Sequence, residues 1–502
     1  MSLFAELTGQ GLGFLSSLFI FMVGLAALVT TLIFISDVSQ TKDAIRRNYP
    51  VIGRFRYIFS TLGEFFRQYF FAMDREEMPF NRAEREWVNK SSRAIDNTMA
   101  FGSTKNINPA GTPLFINCAF PTLDEHATSV PAITIGPYCR EPYAASSVIN
   151  ISGMSYGALS KPAVRALSKG AKLAGCWMNT GEGGLSEHHL EGGCDIVLQI
   201  GTAKYGVRSA DGKLDENKLR KIAALPQLKM FEIKMSQGAK PGKGGILPGA
   251  KVTAEIAKIR GIAEGKDSIS PNRHPEISNI KELLNFIQQV REVTGKPTGF
   301  KVVIGSEGWL KDMCEEIQKC GVECAPDFIT VDSCDGGTGA APMPLMDDVG
   351  LPIKESLPMV VDILTQYNLR ERIKIVASGK LITPSGVAWA LCSGADFITS
   401  ARGFMFSLGC IQALKCNKNT CPTGITTHNK GLQKGLNVEE KSVRVKNFVY
   451  KIHYGIGLIS HSCGVKNPRE LSRQHCRIVQ ADGKSISLNE LYPKPDVLEK
   501  YQ

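Results

Sequence analysis

The sequence has no internal repeat and no low-complexity tract, so no repeat architecture is indicated. No G-x-G-x-x-G follows any strand candidate, and a Rossmann dinucleotide domain is therefore not indicated. No nucleic-acid-binding motif is present, so the formal net charge of +11 needs no nucleic acid, and anionic lipid suffices as its partner. No charge interrupts Leu12–Ile35, no Lys or Arg precedes it, and no A-x-A pattern closes it, which argues against a cleaved secretory signal. As a helix this run would reach roughly 36 Å, enough to cross a bilayer. Lys42, Arg46, Arg47, Arg54, Arg56 and Arg67 all follow it. The positive-inside rule then places the bulk of the chain on the cytoplasmic side of the inner or plasma membrane, on a single span. In that reducing setting 14 cysteines read as thiols or ligands rather than disulfides.

What is present falls into four stretches: an anchor over 1–36, a juxtamembrane and entry region over 37–145, a large domain over 146–465 and a C-terminal extension over 466–502. In the second stretch Phe59, Leu62, Phe66, Tyr69 and Phe70 recur at helical spacing among basic residues. That pattern fits a helix on the membrane surface or one packed on the large domain. Residues 94–145 are irregular and rich in Pro, Asn and Thr.

From Ser146 short apolar runs alternate with helical stretches. Strands are predicted at 146–152, 176–180, 195–200, 228–235, 299–304, 328–333, 374–378 and 396–401, and helices at 161–174, 251–262, 280–294, 310–320, 357–367 and 385–392. A helix-rich tail to about 459 follows. Eight strands alternating with helices predict an α/β (β/α)8 TIM barrel rather than an open sheet.

Barrel chemistry sits where strands end. Ser152, Met154 and Ser155 open SGMSYGALS after the first strand, where small residues let backbone approach a flat ligand. Glu182 is an acid among glycines in NTGEGG. Lys234, Gln237 and Lys240 leave the fourth strand at intervals of three; lysines there can neutralise a flavin or bind a dicarboxylate. Lys301 lies mid-strand. Asp335, Gly336 and Gly337 in DGGTGAAP, Gly379 in SGKLITPSG and Arg402 and Gly403 in TSARG occupy the positions of a barrel phosphate site. Cys410, Cys416 and Cys421 form C-x5-C-x4-C followed by Pro422, within the loop 409–424. Three thiolates suit an iron–sulfur cluster with one corner unheld; buried thiols or a partial zinc site are the alternatives. His274, Cys314, Cys320, Cys324, His461 and Cys463 read as structural.

SGMSYGALS, NTGEGG, QGAKPGKGG-x-LPG-x-KV, ISP-x3-P-x-I, DGGTGA-x-P and the cysteine loop occur in this order over Ser146–Lys446, which resembles the synthase domain of the FMN-binding glutamate synthases, ferredoxin-dependent and bacterial. The resemblance implies FMN, a [3Fe–4S] cluster on Cys410, Cys416 and Cys421, and reductive amination of 2-oxoglutarate by ammonia. Ferredoxin or a similar carrier would be the donor. It implies Gln237 and Lys240 beside FMN, Lys234 and Arg260 on the 2-oxoglutarate carboxylates, Glu182 near ammonia entry, and Gly336, Gly337 and Gly379 near the FMN phosphate. Three features depart from the pattern. An apolar run stands where the family begins with a glutaminase domain, Ile246 replaces a glutamine that contacts 2-oxoglutarate, and the phosphate loop reads SGKLITPSG. The open alternatives are a related flavin oxidoreductase acting on another imine or amine, and a membrane electron relay without a small-molecule substrate.

Overall fold

The computed structural model describes residues 2–40 and 43–501. They divide into two compact units, Met1–Ala83 and Glu84–Gln502. Lys42, counted among the basic residues above, lies outside the described residues.

The first unit begins with α1, Ser2–Ser39. Its Gln10–Ser39 stretch is long and apolar enough to cross a membrane. Near its end Asp37 has no exposed surface. It accepts hydrogen bonds from Arg46 Nη2 at 2.6 Å, Arg54 Nη2 at 2.8 Å and the Val51 amide at 3.1 Å. A carboxylate removed from water needs such partners, so this clasp ties the chain that follows back to the helix end. Helix α2, Gly53–Phe66, widens into a π-type turn over Arg67–Phe71. Phe55, Phe59 and Phe70 stand exposed along them.

The second unit is built on a closed barrel of eight parallel strands in sequence order. They are β1 Ile149–Ile151, β2 Met178–Asn179, β3 Ile196–Ile200, β4 Leu228–Lys234, β5 Thr298–Val303, β6 Phe328–Asp332, β7 Lys374–Ser378 and β8 Phe397–Ser400. Closure is made by β8 pairing β1, with Ile398 opposite Ile149. The strands are buried along nearly their whole length, as a helix-covered parallel sheet requires, which is why their sequences are almost unbroken apolar runs. Each of the eight predicted strands has a counterpart in the barrel.

The outer helices are α3 Lys161–Ala174, α4 Glu216–Ala223, α5 Ala254–Arg260, α6 Ile280–Thr294, α7 Gly308–Cys320, α8 Ile353–Gln366 and α9 Pro384–Cys392, and the long α10 Val438–Ser462 packs beside α3. Helix α3 shows the local logic. Ser160 caps its first turn, Pro162 sits in that turn, Gly175 ends it at φ 68°, and Val164, Leu167 and Ala171 face the core. Gly170 leaves room for α10: a Cβ there would lie 2.5 Å from Val445 Cβ.

Two features were not foreseen. Helix α4 was absent from the expectation. The irregular entry region and the C-terminal extension also share a three-stranded antiparallel sheet, in which Cys476–Val479 pairs with both Pro113–Phe115 and Ser485–Ser487.

Candidate active site

The C-terminal ends of the strands surround an open cavity, where barrel cofactors sit. Of the residues singled out from sequence, Ser152, Lys234, Gln237, Lys301, Gly337, Gly379 and Arg402 line it. Met154, Ser155, Glu182, Lys240, Arg260, Asp335, Gly336 and Gly403 are not among its lining residues. Lining residues that the sequence reading missed include Gln199, Asp332, Ser378 and Lys380. A second, smaller cavity lies inside the barrel, and Ser152 and Lys301 line both.

One wall is a cradle of backbone. At Gly337 a Cβ would lie 3.1 Å from Arg402 Nε. At Gly379, with φ 130°, it would lie 2.2 Å from Ser333 Cβ, so no side chain is possible there. Lys380 Nζ pairs with Asp335 Oδ2 at 2.8 Å, and Arg402 Nη2 donates to the Asp335 carbonyl at 3.1 Å. Two cations and two bare glycines at one place suit a phosphate. Beside them the buried Lys301 pairs with Asp332 at 3.1 Å.

Against this cradle runs the segment that leaves β4. It is stitched to the end of β6 by the Gly238 amide on Asp332 Oδ2 at 2.8 Å and the Ala239 amide on the Cys334 carbonyl at 2.6 Å. Gly238 is obligatory there, since a Cβ would meet the Ser333 carbonyl at 2.2 Å. Lys234 bonds both Gln237 and Glu182, the latter at 2.8 Å. Burial raises the Glu182 pKa, but Lys234, Lys240 and Arg260 outweigh it, so the carboxyl sits below its ordinary value. Lys240 is 4% exposed. Burial first, and Lys234 next, bring its pKa down to about 8. Arg260 lies against the Glu182 loop, donating to Ser268 Oγ at 3.0 Å and to the Tyr156 carbonyl at 3.4 Å. Ile246 faces Ile269 in a two-stranded ladder, and its side chain is 37% exposed.

The cysteine loop docks on the segment after β1. His428 Nε2 bonds the Gly157 carbonyl at 2.8 Å, and Lys251 Nζ donates to the carbonyls of Ala158 at 2.7 Å and Cys416 at 3.3 Å. Gln412, Leu414 and Asn419 all take left-handed conformations with φ between 53° and 59°, a strained course for non-glycine residues that accompanies functional loops. Burial lifts the Cys410 thiol to about 12. The Cys421 thiol is lowered, because hydrogen bonds from Thr423 and Thr426 outweigh its burial. Among the described residues, the trio of ligand atoms that falls within 4.8 Å is Glu187, His188 and Glu255, not the cysteines. Hydrogen bonds account for that trio: Glu255 bonds His188 at 2.6 Å and Tyr156 at 2.7 Å.

The conserved region of glutamate synthase matches residues 118–466. The chain is 42% identical over 517 residues to the glutamate synthase large subunit-like protein YerD of Bacillus subtilis, covering 95% of this chain and 98% of that one. The chain belongs to the glutamate synthase family. It is accordingly an oxidoreductase of the type that acts on CH–NH2 donors. The archaeal glutamate synthase (NADPH) of Methanocaldococcus jannaschii is 34% identical, covering 68% of this chain and 63% of its own. A flavocytochrome b2 mutant with pyruvate bound aligns over 83% of this chain and 89% of its own at 14% identity and a TM-score of 0.47, too remote to bear on function.

Proposed function

We propose that this glutamate synthase-family oxidoreductase binds FMN in the strand-end cavity and a [3Fe–4S] cluster on Cys410, Cys416 and Cys421, and forms glutamate from 2-oxoglutarate and ammonia. The observation that carries the reading is one cavity lined both by a glycine-and-cation cradle and by Lys234 and Gln237. Gly337, Gly379, Lys380 and Arg402 fit the phosphate of FMN, and Ser152, Lys301 and Gln237 fit its ring. Three thiols on the one loop 409–424, followed by Pro422, fit an iron–sulfur cluster, for which soft sulfur ligands are suited. Bound in these places, FMN supplies hydride to an imine carbon and the cluster supplies FMN with electrons.

The residues divide the remaining work. Lys234 and Arg260 take the two carboxylates of 2-oxoglutarate, Lys234 exchanging its bond to Glu182 for one to the substrate. Glu182, kept ionised by three cations, attracts ammonium at the mouth. Ammonium would lose a proton to give ammonia, which would condense with the keto carbon and release water; the hydride that bound FMN would supply to that carbon and a proton on nitrogen would complete glutamate. Lys240, titrating near neutrality, holds the proton at Nζ. Helix α1 anchors the chain in the membrane, with the barrel on the cytoplasmic side.

The test is an anaerobic incubation of the detergent-solubilised protein with 2-oxoglutarate, ¹⁵N-ammonium and reduced methyl viologen. Labelled glutamate that requires both compounds is the expected result. No labelled glutamate, with flavin and iron both bound, would reject the substrate assignment. Reduced ferredoxin and NADPH in place of the viologen identify the donor; ferredoxin is expected to support turnover.

A second reading keeps the cofactors and changes the acceptor to another imine or amine. Ile246 favours it: an apolar side chain stands beside Gly245, whose Cβ position is 2.4 Å from Glu182 Oε1.

A further inference from the structure

Beneath the cavity floor lies a carboxylate that the reaction above does not use. Glu232, on β4, points into the barrel and is 4% exposed. Its Oε1 accepts from Asn179 Nδ2 at 2.8 Å and Gln199 Nε2 at 2.7 Å, and its Oε2 accepts from Thr330 Oγ1 at 2.5 Å. Asn179, Gln199 and Thr330 are all buried as well. An isolated charge in such a place is costly, and three donors from three other strands of the barrel offset that cost.

The arrangement fixes which way two amides point. Asn179 Oδ1 accepts the Gly181 amide at 2.9 Å, so its Nδ2 must be the group that faces Glu232. Glu232, being an acceptor, likewise takes the Nε2 end of Gln199. The Oε1 end of Gln199 is then left over. Gln199 lines the upper cavity, and among the described residues its Oε1 makes no hydrogen bond. Gly153 closes over the same amide: a Cβ there would be 2.8 Å from Gln199 Nε2 and 2.9 Å from Asn179 Oδ1. The cavity floor therefore presents a lone, oriented acceptor to whatever ring lies on it.

We propose that Glu232 is a positioning residue, which holds Gln199 so that its carbonyl oxygen accepts a hydrogen bond from a ring N–H of the bound cofactor. The inference rests on the FMN reading of the cavity. Oxidised flavin has a single ring N–H, at N3, so the acceptor has one partner to select. Glu232 also reaches the Glu182 loop through Asn179 and Gly181, so one buried charge orders both the floor of the cavity and the loop of the acid.

The test compares FMN with N3-methyl-FMN, which lacks that N–H, by quenching of flavin fluorescence on the flavin-stripped full chain in detergent. The wild type is expected to bind N3-methyl-FMN about tenfold more weakly, the scale of one lost hydrogen bond to a buried acceptor. Gln199→Leu should bind FMN more weakly and no longer distinguish the two flavins. In Glu232→Gln an amide of the same shape can present N–H to Gln199 and turn it over, so the preference should collapse towards unity and the visible flavin spectrum should shift. A merely structural role would weaken both flavins alike and leave their ratio intact. Equal binding of the two flavins to the wild type, or an undiminished ratio in Glu232→Gln, would overturn the proposal while leaving the FMN reading standing. Failure of the wild type to bind either flavin would instead remove the FMN reading. Should Glu232→Gln fail to fold, the wild type and Gln199→Leu still decide whether Gln199 selects the N–H.

Discussion

Lys240 can be tested by pH alone. A lysine brought to about 8 by burial and by Lys234 loses its proton across the physiological alkaline range. If it holds the proton for the imine nitrogen, kcat falls as pH rises through about 8. Lys240→Arg, which stays protonated throughout, should abolish that limb, and Lys240→Met should lower kcat by roughly 10²–10⁴ below pH 8, with the gap closing above it. Ile246→Gln supplies an amide beside Gly245; KM for 2-oxoglutarate should drop by about fivefold to tenfold, the worth of one hydrogen bond. An unchanged KM would separate position 246 from substrate. At Gly379 the backbone is decisive. Gly379→Ala should cost on the order of 1–3 kcal/mol for the disfavoured conformation alone, read as a lower midpoint of thermal unfolding, with flavin affinity lost in parallel. These residues were legible because they stand in glycine-rich strand ends. Gln199 and Glu232 were not. They sit inside apolar strand runs, and only the closed barrel reveals that their side chains face inward to each other and to the cavity.

Elements were legible where periodicity was strong. The helices at 161–174 and 280–294 match their predicted ranges to the residue, since each has a cap, an apolar stripe and a terminal glycine. Helix α4 was missed because half of ENKLRKIA is charged and it buries only Leu219 and Ala223. The cysteine loop was visible in spacing, but not its docking on Gly157 and Ala158, which depends on His428 and Lys251 from elsewhere in the chain. Cys421→Ser should strip iron from the purified protein, whereas Cys463→Ser should leave the iron content unchanged; equal iron in both would refute the cluster assignment. In the first unit, removal of residues 2–36 should move the protein from the membrane pellet to the supernatant. Retention of the shortened chain in the pellet would show that α1 is not the sole attachment and direct attention to the exposed aromatics of α2.

At the scale of the molecule, alternating apolar runs were enough to expect a barrel, because eight buried parallel strands leave few other arrangements. The sheet that joins residues 113–115 to 476–479 and 485–487 was out of reach, since three- and four-residue strands far apart in sequence leave no periodic trace. Family membership and barrel together fix the class of chemistry. The most direct measurement is anaerobic stopped-flow absorbance of the chemically reduced protein at the flavin band. Rapid reoxidation that needs 2-oxoglutarate and ammonium together is the predicted result. A flavin that stays reduced in the presence of both would contradict glutamate formation at this site and point to another imine or to electron relay alone.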